Sequence, residues 1–148
     1  MQHSEQAAQL FLKGYNCAQA VAIAFCDVTG LKPAQAAKMA SPFGGGFGRQ
    51  REVCGAVSGM CMVLGQLYGY DTPDQERQLQ VYADTQALCA QFREQVGSII
   101  CRDILKNPPS DPAPTPRTAE YYAQRPCARM VMLAAQLLDS YIETHPIT

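Results

Sequence analysis

The apolar residues of this chain recur with helical rather than strand spacing. From Ser4 to Lys13, residues Ala7, Ala8, Leu10 and Phe11 share one side of a short amphipathic helix, and Gly14 can close it with a left-handed cap. Asn16 is a suitable N-cap for a second helix from Cys17 to about Val28. That segment is apolar nearly all round, which predicts a central place in the fold; Gly30 ends it. Pro33 to Met39 reads as a third helix with proline in its first turn, broken by Ser41-Pro42. The run Phe43-Gly44-Gly45-Gly46-Phe47-Gly48 is a loop, because glycine loses too much chain entropy in a helix.

A helix from about Val53 to Leu67 follows. Its small residues Gly55, Ala56, Gly59 and Gly65 make it a poor helix alone but let a neighbour approach closely. Thr72-Pro73-Asp74-Gln75 is a helix start, with Thr72 as cap and Pro73 at the first position, and the helix extends to about Val96. Gly97-Ser98 interrupts it, and Ser98 can cap a short segment from Ile99 to Leu105. Residues 107–118 hold five prolines and read as an extended strap. A last helix runs from about Pro126 to Thr144, with Ala119 to Gln124 as an additional turn before it.

No segment alternates as a strand would. The expectation is an all-α fold: a single compact bundle of about five main helices, with a glycine-rich loop and a proline-rich strap. The 148 residues suit one domain, since about 30 residues beyond the strap are too few for a second core. Hydrophobic residues make up 47% of the chain, enough to build that core. The net charge is −1, and no run of Lys or Arg exists, which argues against a nucleic-acid partner or an anionic membrane surface. Met1 to Gln6 lack the pattern of a signal peptide, and no apolar run approaches a membrane span. A cytoplasmic protein is expected. The abundant small residues also fit a homodimer. His3 and His145, near the termini, are expected in solvent.

Location matters because there are seven cysteines. In a reducing compartment such residues serve as ligands, catalysts or packing groups more often than as structural disulfides. Four of them fall at expected helix starts. Cys17 follows the Asn16 cap, Cys54 follows the glycine loop, Cys101 lies three residues past Ser98, and Cys127 follows Pro126. A helix N-terminus offers unpaired N–H groups and about half a positive charge, and both favour a thiolate. Four such starts aimed at one point would form a pocket for four sulfurs. Each cysteine alone has a plainer reading as a small buried hydrophobe, and Cys26, Cys61 and Cys89, set within or late in helices on apolar faces, are assigned to packing. Lys13, Arg51, Arg102 and Arg125 lie near the four in sequence.

The segment Cys54-Gly55-Ala56-Val57-Ser58-Gly59 resembles the motif of the C_GCAxxG_C_C family, described as redox-active proteins of roughly this length with four invariant cysteines. Gly14-Tyr15-Asn16-Cys17-Ala18-Gln19-Ala20-Val21 is similar to that family's first cysteine segment, and Phe43 to Arg49 to the loop before its motif. Phe92 to Cys101 and the late Cys127 resemble its third and fourth segments. The resemblance covers nearly the whole chain and implies that the family's four cysteines are Cys17, Cys54, Cys101 and Cys127. A related segment accompanies a haem domain in split-Soret cytochromes, where an iron–sulfur centre has been proposed; that extends the expectation by analogy only.

Three chemistries suit four converging cysteines. They can ligate a [2Fe–2S] or [4Fe–4S] cluster for electron transfer. They can cycle between dithiol and disulfide without metal, with Cys54 as nucleophile because the glycine loop beside it gives access. They can hold zinc in an interaction module, although Cys₄ zinc sites draw their ligands in close pairs that this sequence lacks. Electron transfer is favoured, to a redox partner that the sequence does not identify. The loop Gly44 to Gly48 with Arg49 and Arg51 could meet a phosphate at the next helix; a tight turn bringing Cys54 to the core is the stronger reading. No acid pair and no Ser–His–Asp set suggests hydrolysis.

Overall fold

The computed structural model describes residues 1–147. They form an all-α structure in which six helices of eight residues or more carry the bundle. These are α1 (His3–Leu12), α2 (Cys17–Ala24), α4 (Pro33–Ala40), α5 (Gly55–Tyr68), α6 (Gln75–Val96) and α9 (Cys127–Thr144); α3 (Cys26–Thr29), α7 (Cys101–Leu105) and α8 (Ala119–Gln124) are short. Among the described residues no helix is long and apolar enough to cross a membrane.

Helix α2 is central, as its apolar surface predicts, with seven of its eight residues buried. It packs against α1, α4, α5 and α9, while α1 and α9 form the most extensive pair. Phe11, Val21, Phe25, Val57, Met60, Leu88, Phe92 and Leu138 are buried at the centre. A smaller cluster of Ala18, Ala22, Ile23, Ala36 and Ala40 lies between α2 and α4. The expected second helix breaks early, because Phe25 leaves helical geometry at φ −100° and ψ 13°. Its buried ring stacks on His3 at 4.1 Å.

Two glycines of α5 admit α2 as the small-residue pattern predicts. A Cβ on Gly59 would lie 2.7 Å from the Ala18 carbonyl oxygen, and one on Gly55 would lie 3.1 Å from the Cys17 Cβ. Gly65 has nothing within 4 Å and serves no close approach. Helix α6 starts later than the sequence suggests. Asp74, not Thr72, is its cap, accepting from the Arg77 N–H at 3.1 Å. The Arg77 guanidinium also donates to the carbonyls of Tyr68 and Gly69 at 3.2 Å. A tertiary contact with the end of α5 therefore selects between two possible caps.

His3 is not solvated. Its ring bridges Asp139 at 2.8 Å and Asp27 at 2.9 Å, joining α1 to α3 and α9. Burial alone would lower its pKa, but the two carboxylates together raise it above 6.5. His145 is exposed and stacks on Tyr141 at 3.9 Å.

Two outcomes follow for stability. Gly59→Ala should destabilise the fold by about 1–3 kcal/mol through overpacking against α2, whereas Gly65→Ala should stabilise it by about 0.5–1 kcal/mol; denaturant unfolding of both variants checks the contrast. The contribution of His3 is fully present below its unfolded pKa near 6.5 and is lost as pH rises through its raised folded value. The melting temperature should therefore drop across that window, and His3→Gln should flatten the profile.

Candidate functional site

Each of the four cysteines stands where a helix begins, but the four are held in different ways. Cys17 is the first residue of α2, behind a reciprocal capping box: Asn16 accepts from the Gln19 N–H at 2.9 Å, and the Gln19 side chain accepts from the Asn16 N–H at 3.0 Å. Cys101 opens α7, and Cys127 opens α9 behind Pro126. Cys54 occupies the N-cap position of α5 rather than its first turn. The Ala56 and Val57 N–H groups point toward its sulfur and pull its pKa down without making a capping hydrogen bond.

A short antiparallel bridge joins two of these segments. Val53 pairs with Ile100. The Cys54 N–H donates to the Ile99 carbonyl at 2.7 Å, the Cys101 N–H to Glu52 at 2.6 Å and the Arg102 N–H to Arg51 at 3.1 Å. The glycine loop lies against this bridge. Gly46 has φ +73°, and a Cβ there would stand 2.6 Å from the Cys101 Cβ and 2.8 Å from the Glu52 nitrogen. Side chains rarely adopt that conformation and none would fit. The loop is thus a tight packing turn beside Cys101.

All four cysteines line one cavity of about 290 Å³, and each is less than a tenth exposed. The proline strap forms part of the wall through Pro112, Pro114 and Thr115. Three arginines fasten it. Arg49 donates to the Asp111 carbonyl at 2.7 Å and to the Thr115 hydroxyl at 3.0 Å. Arg51 donates from Nε to the Pro109 carbonyl at 2.9 Å. Arg117 donates to the carbonyls of Phe11 at 3.0 Å and Tyr15 at 3.1 Å, with its guanidinium 4.4 Å from the centre of the Phe11 ring. Arg51 is itself buried: Nη1 donates to the Cys101 sulfur at 3.6 Å, and Nη2 is buried with no partner. A buried guanidinium with a free donor is costly.

The thiols divide by environment. Burial pushes Cys54 up to about 12, outweighing the N–H groups at its helix start. Burial also raises Cys101, against the opposing pull of Arg51. Cys17 donates its S–H to the Cys127 sulfur, which raises Cys17 well above an ordinary thiol. The same hydrogen bond, helped by Arg125, Arg117 and Arg51, lowers Cys127 to about 7 despite burial. The pair therefore shares one proton, with the negative charge favoured on Cys127.

Of the basic residues near the four in sequence, Arg51 and Arg125 line the cavity. Lys13 is exposed, and Arg102 faces Glu52 at 3.3 Å on the surface. Arg117 is not marked out by the sequence, because only the folded strap brings it to the cavity wall, and Arg49, marked there beside the glycine loop, fastens the strap. Cys61 and Cys89 pack, partly buried, against the main core, as the sequence suggests. Cys26 keeps the plainer role, directing its S–H to the Ala22 carbonyl at 3.7 Å. Among the described residues, no three His, Cys, Asp or Glu side chains are drawn together tightly enough to hold one metal ion. The four sulfurs thus surround a space rather than a point.

A family model described as "Putative redox-active protein (C_GCAxxG_C_C)" matches residues 15–141. Comparison with curated proteins and with solved structures gave no match.

The ultraviolet thiolate absorbance of the metal-free protein should show one ionisation near pH 7, assigned to Cys127. Arg125→Ala should move it upward by removing a neighbouring positive charge, and Cys17→Ser should move it by replacing its hydrogen-bond donor. Titrations of the three proteins compare the midpoints.

Proposed function

The chain belongs to the C_GCAxxG_C_C family of redox-active proteins, and on that premise we propose that it is an electron-transfer protein in which Cys17, Cys54, Cys101 and Cys127 hold an iron–sulfur cluster, [2Fe–2S] or [4Fe–4S]. The observation that carries this reading is the shared cavity: four cysteines from four separate helix starts line one space of about 290 Å³. A cluster of several atoms spaces its thiolate ligands more widely than a single ion does, which suits sulfurs arranged around a space. The buried, partnerless Nη2 of Arg51 beside Cys101 supplies a donor for the sulfurs of a cluster whose complex with four thiolates is anionic overall. Burial disfavours three of the thiolates, and a bound cation would compensate that cost by taking the place of their protons. A cluster so held supplies electron transfer without bond rearrangement in the protein.

One observation favours a second reading, metal-free thiol–disulfide exchange. Cys17 and Cys127 line the same cavity, and their interaction, with the arginines nearby, raises the Cys17 thiol and lowers that of Cys127. In that chemistry Cys127 is the attacking thiolate and Cys17 the resolving thiol. Cys54 is poorly placed as nucleophile, because burial keeps it protonated. Structural zinc ranks below both, since one zinc ion needs its ligands gathered at a point and no such group exists among the described residues.

Anaerobically purified protein should show visible sulfide-to-iron absorption with stoichiometric iron and acid-labile sulfide. Each of Cys17→Ser, Cys54→Ser, Cys101→Ser and Cys127→Ser should weaken that signal severalfold, and Cys26→Ser should leave it unchanged. A colourless, metal-free protein that forms a Cys17–Cys127 disulfide would select thiol chemistry instead. Equal effects of Cys54→Ser and Cys26→Ser would remove the distinction between cavity and packing cysteines.

A further inference from the structure

The strap is attached by hydrogen bonds rather than by burial. None of residues 107–118 is buried, so apolar packing does not hold the segment down. Its five prolines stiffen it, and it therefore moves about its two ends. It leaves α7 through Lys106 and Asn107, both at φ +58°, a conformation uncommon outside glycine. Arg49 at φ +66° and Arg51 at φ +63°, which grip the strap from the end of the glycine loop, share that conformation. Strained backbone persists where surrounding contacts impose it, and it gathers at segments that switch. Arg51 also faces three ways from one buried plane. Its Nε donates to the strap at the Pro109 carbonyl, 2.9 Å away. Its Nη1 donates to the Cys101 sulfur at 3.6 Å, and its Nη2 is buried without a partner. Cys101 in turn opens α7, the helix that leads into Lys106 and the strap. One rigid guanidinium thus joins the wall of the cavity to one of its four sulfurs and keeps a spare donor.

We infer that Arg51 couples the filling of the cavity to the closure of the strap, so that the strap is a lid held shut by the bound cluster and loosened when the cluster leaves. The inference rests on the cluster reading of the cavity. A buried donor without a partner favours any movement that carries it to water. For Arg51 such a movement breaks its bonds to Pro109 and Cys101. A sulfur acceptor at Nη2 removes that incentive and fixes the guanidinium plane, and the bond to Pro109 is fixed with it. Coupling of this kind acts in both directions: the strap that the cluster holds also retains the cluster. Arg49 fastens the strap through Asp111 and Thr115, and so sets how firmly the lid rests. Arg51 sets how the lid answers to the cavity.

Both ends of the strap carry a bond that trypsin cuts, Lys106–Asn107 and Arg117–Thr118. The full chain, reconstituted anaerobically with ferrous iron and sulfide, is compared with the metal-free chain in brief digests read by mass spectrometry. The exposed Arg93–Glu94 bond of α6, which does not line the cavity, controls for overall stabilisation by a bound ligand. Loading should slow cutting at the two strap bonds at least severalfold more than at Arg93–Glu94. Arg51→Met should abolish that difference. Arg51→Lys keeps the charge but cannot serve three partners from one plane; it should behave alike and is read if Arg51→Met takes up no iron. Arg49→Gln should speed cutting of the strap in both forms while the difference between them remains, and should lose iron to a chelator severalfold faster than the parent protein. Equal protection of the strap and of Arg93–Glu94 in protein carrying stoichiometric iron and sulfide would overturn the inference and leave the cluster reading intact, as would full strap protection in Arg51→Met. A chain that takes up neither iron nor sulfide overturns the cluster reading and the inference together.

Discussion

The site depends on a stretch of backbone pairing only a few residues long. Where Val53 meets Ile100, the Cys54 N–H binds the Ile99 carbonyl and the Cys101 N–H binds that of Glu52. These bonds set two cysteines from distant parts of the chain side by side in an otherwise helical protein. They also consume N–H groups that the starts of α5 and α7 would otherwise leave without partners. The glycine loop can lie on this bridge only because Gly46 has no Cβ to meet Cys101. Cys17 joins through the close approach of α2 to α5 at Gly55 and Gly59, and Cys127 joins through the packing of α9 on α2 and α5.

Once the sulfurs share a cavity, two electrostatic effects compete. A helix start favours the thiolate, and burial favours the thiol. Burial prevails at Cys54 and Cys101, because the loss of water around a full charge outweighs the partial charges of a few N–H groups. At Cys127 it does not, because a thiol donor and three nearby guanidinium groups add to the helix end. The strap enters this balance directly. Its prolines wall the cavity, and its carbonyls receive Arg49 and Arg51. Its own Arg117 reaches back to Phe11 and Tyr15. The segment that walls part of the cavity therefore also holds cationic charge near the sulfurs.

The seven cysteines fall into two groups. The cavity brings four sulfurs around a space beside a partnerless arginine nitrogen, which suits a polyatomic cluster whose complex with four thiolates is anionic overall. Cys26, Cys61 and Cys89 lie outside that cavity and pack, partly buried, against the core. The same residue type serves different requirements, set by exposure and by its neighbours.

The all-α class, the Asn16 cap, the central place of α2 and the grouping of Cys17, Cys54, Cys101 and Cys127 near helix starts were legible in the amino-acid order. Each follows from propensity, capping or periodicity acting over a few residues. The shift of the α6 cap from Thr72 to Asp74 and the bridging role of His3 were not. Nor was it legible that Cys127, rather than Cys54, carries the low-pKa sulfur. Those features depend on which groups lose water together and which donors face them across the fold. Such neighbours are far apart along the chain, so only the packed tertiary structure could determine them.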